Sequence, residues 1–173
     1  MLKRWYQGRE CDIRQEGELL RAAGQLGRLH RELDAVSAER TPVRQTEWFC
    51  CARSPLEEIA RHNRELKKVR SFIRGRAVKN EFESLYLESF EKMYGMAEKV
   101  LKRMEGSGCG ELYEESVRTG TLAHGDYNYH NIVVLKDDMA VTGFDHMRVD
   151  IQVHDLYYFM RKAMEKHHWK RKT

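Results

Sequence analysis

The sequence predicts a mainly α-helical fold that carries one small β-hairpin. Three observations predict it. Apolar residues recur at steps of three and four over two long stretches, 16–36 and 79–104. Only two prolines interrupt 173 residues. Two short β-branched runs, Ile132-Val133-Val134-Leu135 and Met139-Ala140-Val141-Thr142, flank a polar turn.

The length suits one domain with a real core and is short for two. A hydrophobic share of 41% beside 34% charged residues excludes a wholly disordered chain. No stretch reaches the roughly 18 apolar residues that a membrane span requires. Met1-Leu2-Lys3-Arg4-Trp5-Tyr6 has no apolar core of a secretory signal, so synthesis in the cytoplasm is expected.

The elements follow in order. Residues 1–14 read as an irregular, hinge-like opening segment, and 15–173 as a single helical domain. The first helix spans about 16–36, with Leu19, Leu20, Ala23, Leu26, Leu29, Leu33 and Val36 on one face. Residues 37–53 form a loop around Pro42. Ser54-Pro55-Leu56-Glu57 starts the second helix, with Ser54 as cap and Pro55 in its first turn, and Gly75 stops it. Phe82, Leu85, Tyr86, Phe90, Met93, Ala97, Val100, Leu101 and Met104 give the third helix a continuous stripe, expected to be core. The glycines of 106–110 break it, and a short helix follows near 111–118. The hairpin occupies 132–144. A last amphipathic helix covers about 153–166, with Leu156, Phe159, Met160 and Ala163 on its inner face.

Charge is unevenly spread. Residues 61–79 carry eight bases against Glu65 alone, and 80–116 carry nine acids against four bases. The tail from Arg161 is basic again. Such a block suits an anionic surface, but charge runs alone rarely define a site, and the favoured reading is a solvated helix face that balances the acidic helix after it. Nucleic acid is the less suited partner, because only Phe72 offers a stacking surface in the block. Cys11, Cys50, Cys51 and Cys109 form no CxxC and no zinc-type spacing with histidine. His62, His130, His154, His167 and His168 likewise lack ligand spacing and read as ordinary polar residues. Tyr127 and Tyr129 read as packing residues.

The chemistry-bearing segment is His124-Gly125-Asp126-Tyr127-Asn128-Tyr129-His130-Asn131. An Asp and an Asn five apart on a loop can share one cleft. The carboxylate can take a proton from a hydroxyl, and the amide oxygen can ligate a hard cation such as Mg²⁺. The pattern H-G-D-x-x-x-x-N resembles the catalytic loop of the aminoglycoside phosphotransferase and choline kinase superfamily, relatives of protein kinases. Residues 61–83, 124–138 and 150–169 are similar to CotS-type spore coat proteins, a kinase-like branch of that superfamily. The resemblance spans most of the chain and corresponds to the C-terminal lobe of the protein-kinase-like (aminoglycoside phosphotransferase) fold.

That resemblance implies roles. Asp126 would be the base, His124 structural support, Asn131 a magnesium ligand, and Asp155 the carboxylate that supports the loop from below. A plain helix N-terminal acid is the other reading of Asp155. Two departures bear on activity. Where the family has a metal-binding Asp at the end of the hairpin, this sequence has Val141-Thr142-Gly143-Phe144-Asp145. Asp145, two residues on, is the substitute ligand, offset by roughly 6–7 Å if the segment is an extended strand. A magnesium–oxygen bond of about 2.1 Å tolerates little error. The second departure is the missing glycine-rich phosphate loop and strand lysine of an N-terminal lobe. The expectation is a kinase-fold remnant that builds spore coat and does not transfer phosphate alone. Other coat proteins, a second subunit or a second copy would be its partners. The alternative is a phosphotransferase on a small hydroxyl compound, using ATP and Mg²⁺ once its cleft is completed.

Overall fold

The computed structural model describes residues 6–38 and 50–169. The loop expected around Pro42 and the tail beyond Trp169 lie largely outside the described residues. The fold is mainly helical with small antiparallel strands, in the order β1 (Arg9–Glu10), α1 (Glu16–Ala38), α2 (Pro55–Gly75), α3 (Glu81–Glu105), α4 (Cys109–Thr119), β2 (Leu122–Ala123), β3 (Ile132–Val134), β4 (Met139–Val141), β5 (Arg148–Val149) and α5 (Val153–Lys166). Short 3-10 turns occupy Tyr129–Asn131 and Phe144–His146. The chain divides into two compact units, residues 53–114 and the remainder, with the division inside α4.

In the larger unit, β3 and β4 form the expected hairpin, pairing Ile132 with Val141 and Val134 with Met139. It ends at Val141, short of the expected residue 144. The opening segment, expected to be irregular, supplies a third strand: Arg9 and Glu10 of β1 pair with Val134 and Val133. A second small sheet joins β2 to β5, and Cys51 adds a parallel bridge to Val149. Strands of two residues carry no readable alternation, which is why the sequence shows neither pairing. The core gathers Cys11, Ile13, Ala22, Leu26, Tyr127, Ile132, Met139, Phe159 and Ala163. These residues come from the opening segment, α1, the polar loop, the hairpin and α5, so the loop is seated directly on the core. A smaller cluster of Leu33, Leu122 and Val149 packs beside the second sheet. On α5, Phe159 and Ala163 are buried as expected, whereas Leu156 and Met160 are exposed. The buried third member of that face is Asp155.

The smaller unit is an antiparallel pair, α2 against α3. Asn80 starts α3 with a capping box: its side chain accepts from Glu83 N at 2.8 Å, and the Glu83 carboxylate accepts from Asn80 N at 2.9 Å. Ser54, the cap expected for α2, makes no side-chain cap bond. Ion pairs Arg76–Glu83, Arg70–Glu91 and Lys67–Glu98 cross between the helices. Three of the block's eight bases, Lys67, Arg70 and Arg76, thus balance acids of α3. Arg70 also lies over the Phe90 ring, which stacks on Tyr94 with centroids 5.1 Å apart. The apolar stripe of α3 departs from expectation. Phe90 is buried, but Phe82, Leu85, Met93 and Val100 are exposed. Periodicity identifies an amphipathic helix and leaves open what covers its apolar face.

Behind β5 a buried acid organises the turn into α5. Asp150, fully buried, accepts from His154 Nδ1 at 2.9 Å, Ile151 N at 2.8 Å and Arg148 Nε at 3.0 Å. Burial alone would raise its pKa; the bonds from His154, Ile151 and Arg148 outweigh burial and hold it below its ordinary value. The bond to Asp150 raises His154 above its ordinary value against the cost of burial. A raised histidine stabilises fully below its unfolded pKa of about 6.5, and that contribution fades as pH rises through the folded value. His154→Ala is therefore expected to cost more stability at pH 6 than at pH 9 in urea unfolding. Equal costs at the two pH values would contradict a charged His154–Asp150 pair.

Candidate functional site

The loop 124–131 runs from β2 into β3, and its conformation is set by one carboxylate beneath it. Asp155, on the first turn of α5 and 1% exposed, accepts from His124 N and Gly125 N, each at 2.8 Å. The same carboxylate meets His30 Nε2 of α1 at 3.0 Å. A buried carboxylate is tolerated because three donors replace its water. His124 is buried, accepts from Asp126 N through Nδ1 at 3.2 Å, and so carries its proton on Nε2, which donates to Thr142 O at 2.9 Å. Burial lowers its pKa, with the Thr142 bond and the nearby Asp155 and Asp126 charges opposing. A neutral imidazole thus ties the start of the loop to the end of the hairpin.

Gly125 is required where it stands. Its φ is +81°, and a Cβ there would come within 2.1 Å of His146 O. This tight passage turns the chain so that Asp126 emerges half-buried beside Asn131. Asn131 Nδ2 donates to Asp126 Oδ2 at 2.8 Å and to Asp126 O at 2.9 Å. Asn128 Nδ2 donates to Asp126 Oδ1 at 2.9 Å. The loop therefore brings Asp126 and Asn131 together, and both carboxylate oxygens of Asp126 already accept an amide proton. Asn128 also caps the 3-10 turn by accepting from His130 N at 2.9 Å. Tyr127 points the other way, into the core. Its hydroxyl donates to Ala22 O at 2.7 Å, and its ring packs edge-on against Phe159. Burial pushes its phenol well above the usual range.

The hairpin returns to the same place. Thr142 N donates to Asn131 O at 2.9 Å. Gly143 follows with φ +78°, and a Cβ on it would lie 2.6 Å from Asn131 Oδ1. Phe144–His146 then forms a 3-10 turn and not the extended strand expected. The strand-based offset for Asp145 does not apply, since a 3-10 turn advances about 2 Å per residue and rotates the side chain by a third of a turn. Asp145 is exposed on that turn.

A magnesium ion requires near-octahedral oxygen ligands. Asn131 offers its nitrogen to Asp126 and keeps its oxygen against Gly143, and residue 143 contributes no carboxylate. Among the described residues, no group of three or more His, Cys, Asp or Glu is placed to hold a metal.

Two participants escaped the sequence reading. His30 falls between Leu26 and Leu33 on the buried face of α1, and a polar residue inside an apolar stripe was the available signal. Thr142 acts through its backbone, which leaves no trace in residue type.

No protein-family model matches the sequence, and no curated protein sequence matches it. Among solved structures, an aminoglycoside phosphotransferase from Alicyclobacillus acidocaldarius subsp. acidocaldarius is similar over 96% of this chain, with a TM-score of 0.73 and 17% identity. The chain spans 47% of that protein's chain, about half its length. At this identity the likeness speaks for architecture alone: the chain shares the fold of about half of that aminoglycoside phosphotransferase.

Proposed function

We propose that this chain is the C-terminal lobe of a kinase-like fold and serves as a structural component of the CotS spore-coat type, without phosphotransfer of its own. The observation that carries the reading is Gly143 packed on the Asn131 amide. The resemblance places a metal-binding acid at that position. Phosphoryl transfer depends on positioning and on neutralising charge, chiefly by metal ions. A loop that spends both oxygens of Asp126 on Asn128 and Asn131 is arranged for rigidity. The likeness of residues 61–83, 124–138 and 150–169 to CotS-type proteins supports the coat role, and the exposed apolar faces of α3 and α5 suit a protein that assembles with others.

A second reading is favoured by one observation, the direct contact of Asp126 with Asn131. In a phosphotransferase on a small hydroxyl compound, Asp126 would be the base, Asn131 a magnesium ligand and Asp155 the loop support. ATP and Mg²⁺ would then bind a completed cleft.

Thermal unfolding with ATP, with and without Mg²⁺, separates the two. A site of Kd about 10 μM at about 1 mM ATP stabilises by roughly 2.7 kcal/mol, a rise of about 5–10 °C for a chain of this size. The structural reading expects a shift below about 1 °C, on the same scale. A large Mg²⁺-dependent shift that Asp126→Ala removes would establish the second reading. Gly143→Asp is expected to cost about 1–3 kcal/mol, through positive φ and the clash with Asn131, and to confer no Mg²⁺-dependent stabilisation. A Mg²⁺ response in that variant would show that the loop still accepts a metal.

A further inference from the structure

The exposed stripe of α3 has a pattern that selects its own partner. Phe82, Leu85, Ser89, Met93, Met96 and Val100 follow one another at steps of three, four, four, three and four, so 82, 85 and 89 each recur eleven residues later. An eleven-residue period keeps an apolar line nearly parallel to the helix axis. The line faces solvent: Phe82 is 73% exposed, Met93 59% and Val100 49%. On one flank of it stand Glu81, Glu88, Lys92 and Lys99, all exposed, acids in the first half of the helix and bases in the second. The acids of α3 that face α2 are ion-paired, as Glu83, Glu91 and Glu98 are. These four flanking residues have no ion pair among the described residues. Glu88 and Lys92 do not pair with each other despite their spacing of four.

We infer that this face is a homodimer interface in which two copies of α3 pack antiparallel about a two-fold axis near residue 91. A two-fold of this kind brings the same flank of both helices together. With the axis at that point, Glu81 meets Lys99 of the second copy and Glu88 meets its Lys92, each pair occurring twice. The same register sets Phe82 against Val100, Leu85 against Met96 and Ser89 against Met93. A parallel pair would instead turn the charged flank toward the opposite flank, where Tyr86, Ala97 and Met104 offer no charge. Charge complementarity therefore selects a second copy, and selects the antiparallel arrangement. The small Ser89 at the centre lets the two backbones approach. The inference rests on α3 alone and is independent of whether the loop at Asp126 handles phosphate.

Sedimentation velocity of the full chain, with two charge-reversed variants, tests it. The wild-type chain is expected to form a dimer whose dissociation constant rises with salt. Lys92→Glu with Lys99→Glu sets four acids of each copy against four of the other, and Glu81→Lys with Glu88→Lys sets four bases of each copy against four of the other. Each variant alone should dimerise at least tenfold more weakly, with unchanged helical circular dichroism. An equimolar mixture of the two should recover the heterodimer. A wild-type chain that stays monomeric at about 100 μM, a level that detects even weak association, overturns the inference. So does a charge-reversed variant that dimerises as well as wild type, or a mixture that remains monomeric.

Discussion

The Asp155 carboxylate is the constraint on which the loop and its surroundings depend. It is buried, and burying an ionised carboxylate costs heavily unless donors replace its hydration. The donors here are the amides of His124 and Gly125 and the ring of His30. Those three groups belong to the loop and to α1, while Asp155 belongs to α5. One side chain therefore joins three segments distant in sequence. Its two backbone bonds also fix the direction in which the chain leaves β2, and so where Asp126 is delivered.

From that anchor the rest of the site follows by exclusion of alternatives. Gly125 passes so near the His146 backbone that no side chain fits, and Gly143 passes close to the Asn131 side chain. Between these two close approaches the loop has little freedom. His124 bridges them, accepting from Asp126 N and donating to Thr142 O. The site is thus preorganised around amide–carboxylate contacts. The close approach of Gly143 to Asn131 leaves no room for a side chain at position 143.

Much of this was legible in the sequence, and the reasons for the rest are physical. The 3.6-residue period revealed α1 and α3, and the hairpin was marked by β-branched runs around Lys136-Asp137-Asp138. The loop was visible because a histidine, glycine, aspartate and asparagine at fixed spacing are chemically distinctive. β1, β2 and β5 were hidden, since two residues cannot display an alternation. The extended path assumed for 141–145 failed because Gly143 takes a left-handed conformation that no residue type announces with certainty. The stripe of α3 carries the hydrophobic period of a core face although Phe82, Leu85, Met93 and Val100 are exposed, because periodicity reports amphipathicity and not what covers it. His30 was missed because its partner lies 125 residues away.

The two units express different physics. The larger is held by a buried core and satisfied polar groups; in the smaller, α2 and α3 bury Ile73 and Phe90 and carry largely exposed ion pairs and cation–aromatic contacts along their seam. In the larger unit Asp155 locks the loop, and amide hydrogen exchange in Asp155→Asn tests this directly. The His124 and Gly125 amides are expected to exchange roughly 100-fold faster, as a loss of about 2–3 kcal/mol of local protection implies, while α3 amides keep their wild-type rates. Unchanged protection at His124 and Gly125 would contradict the account.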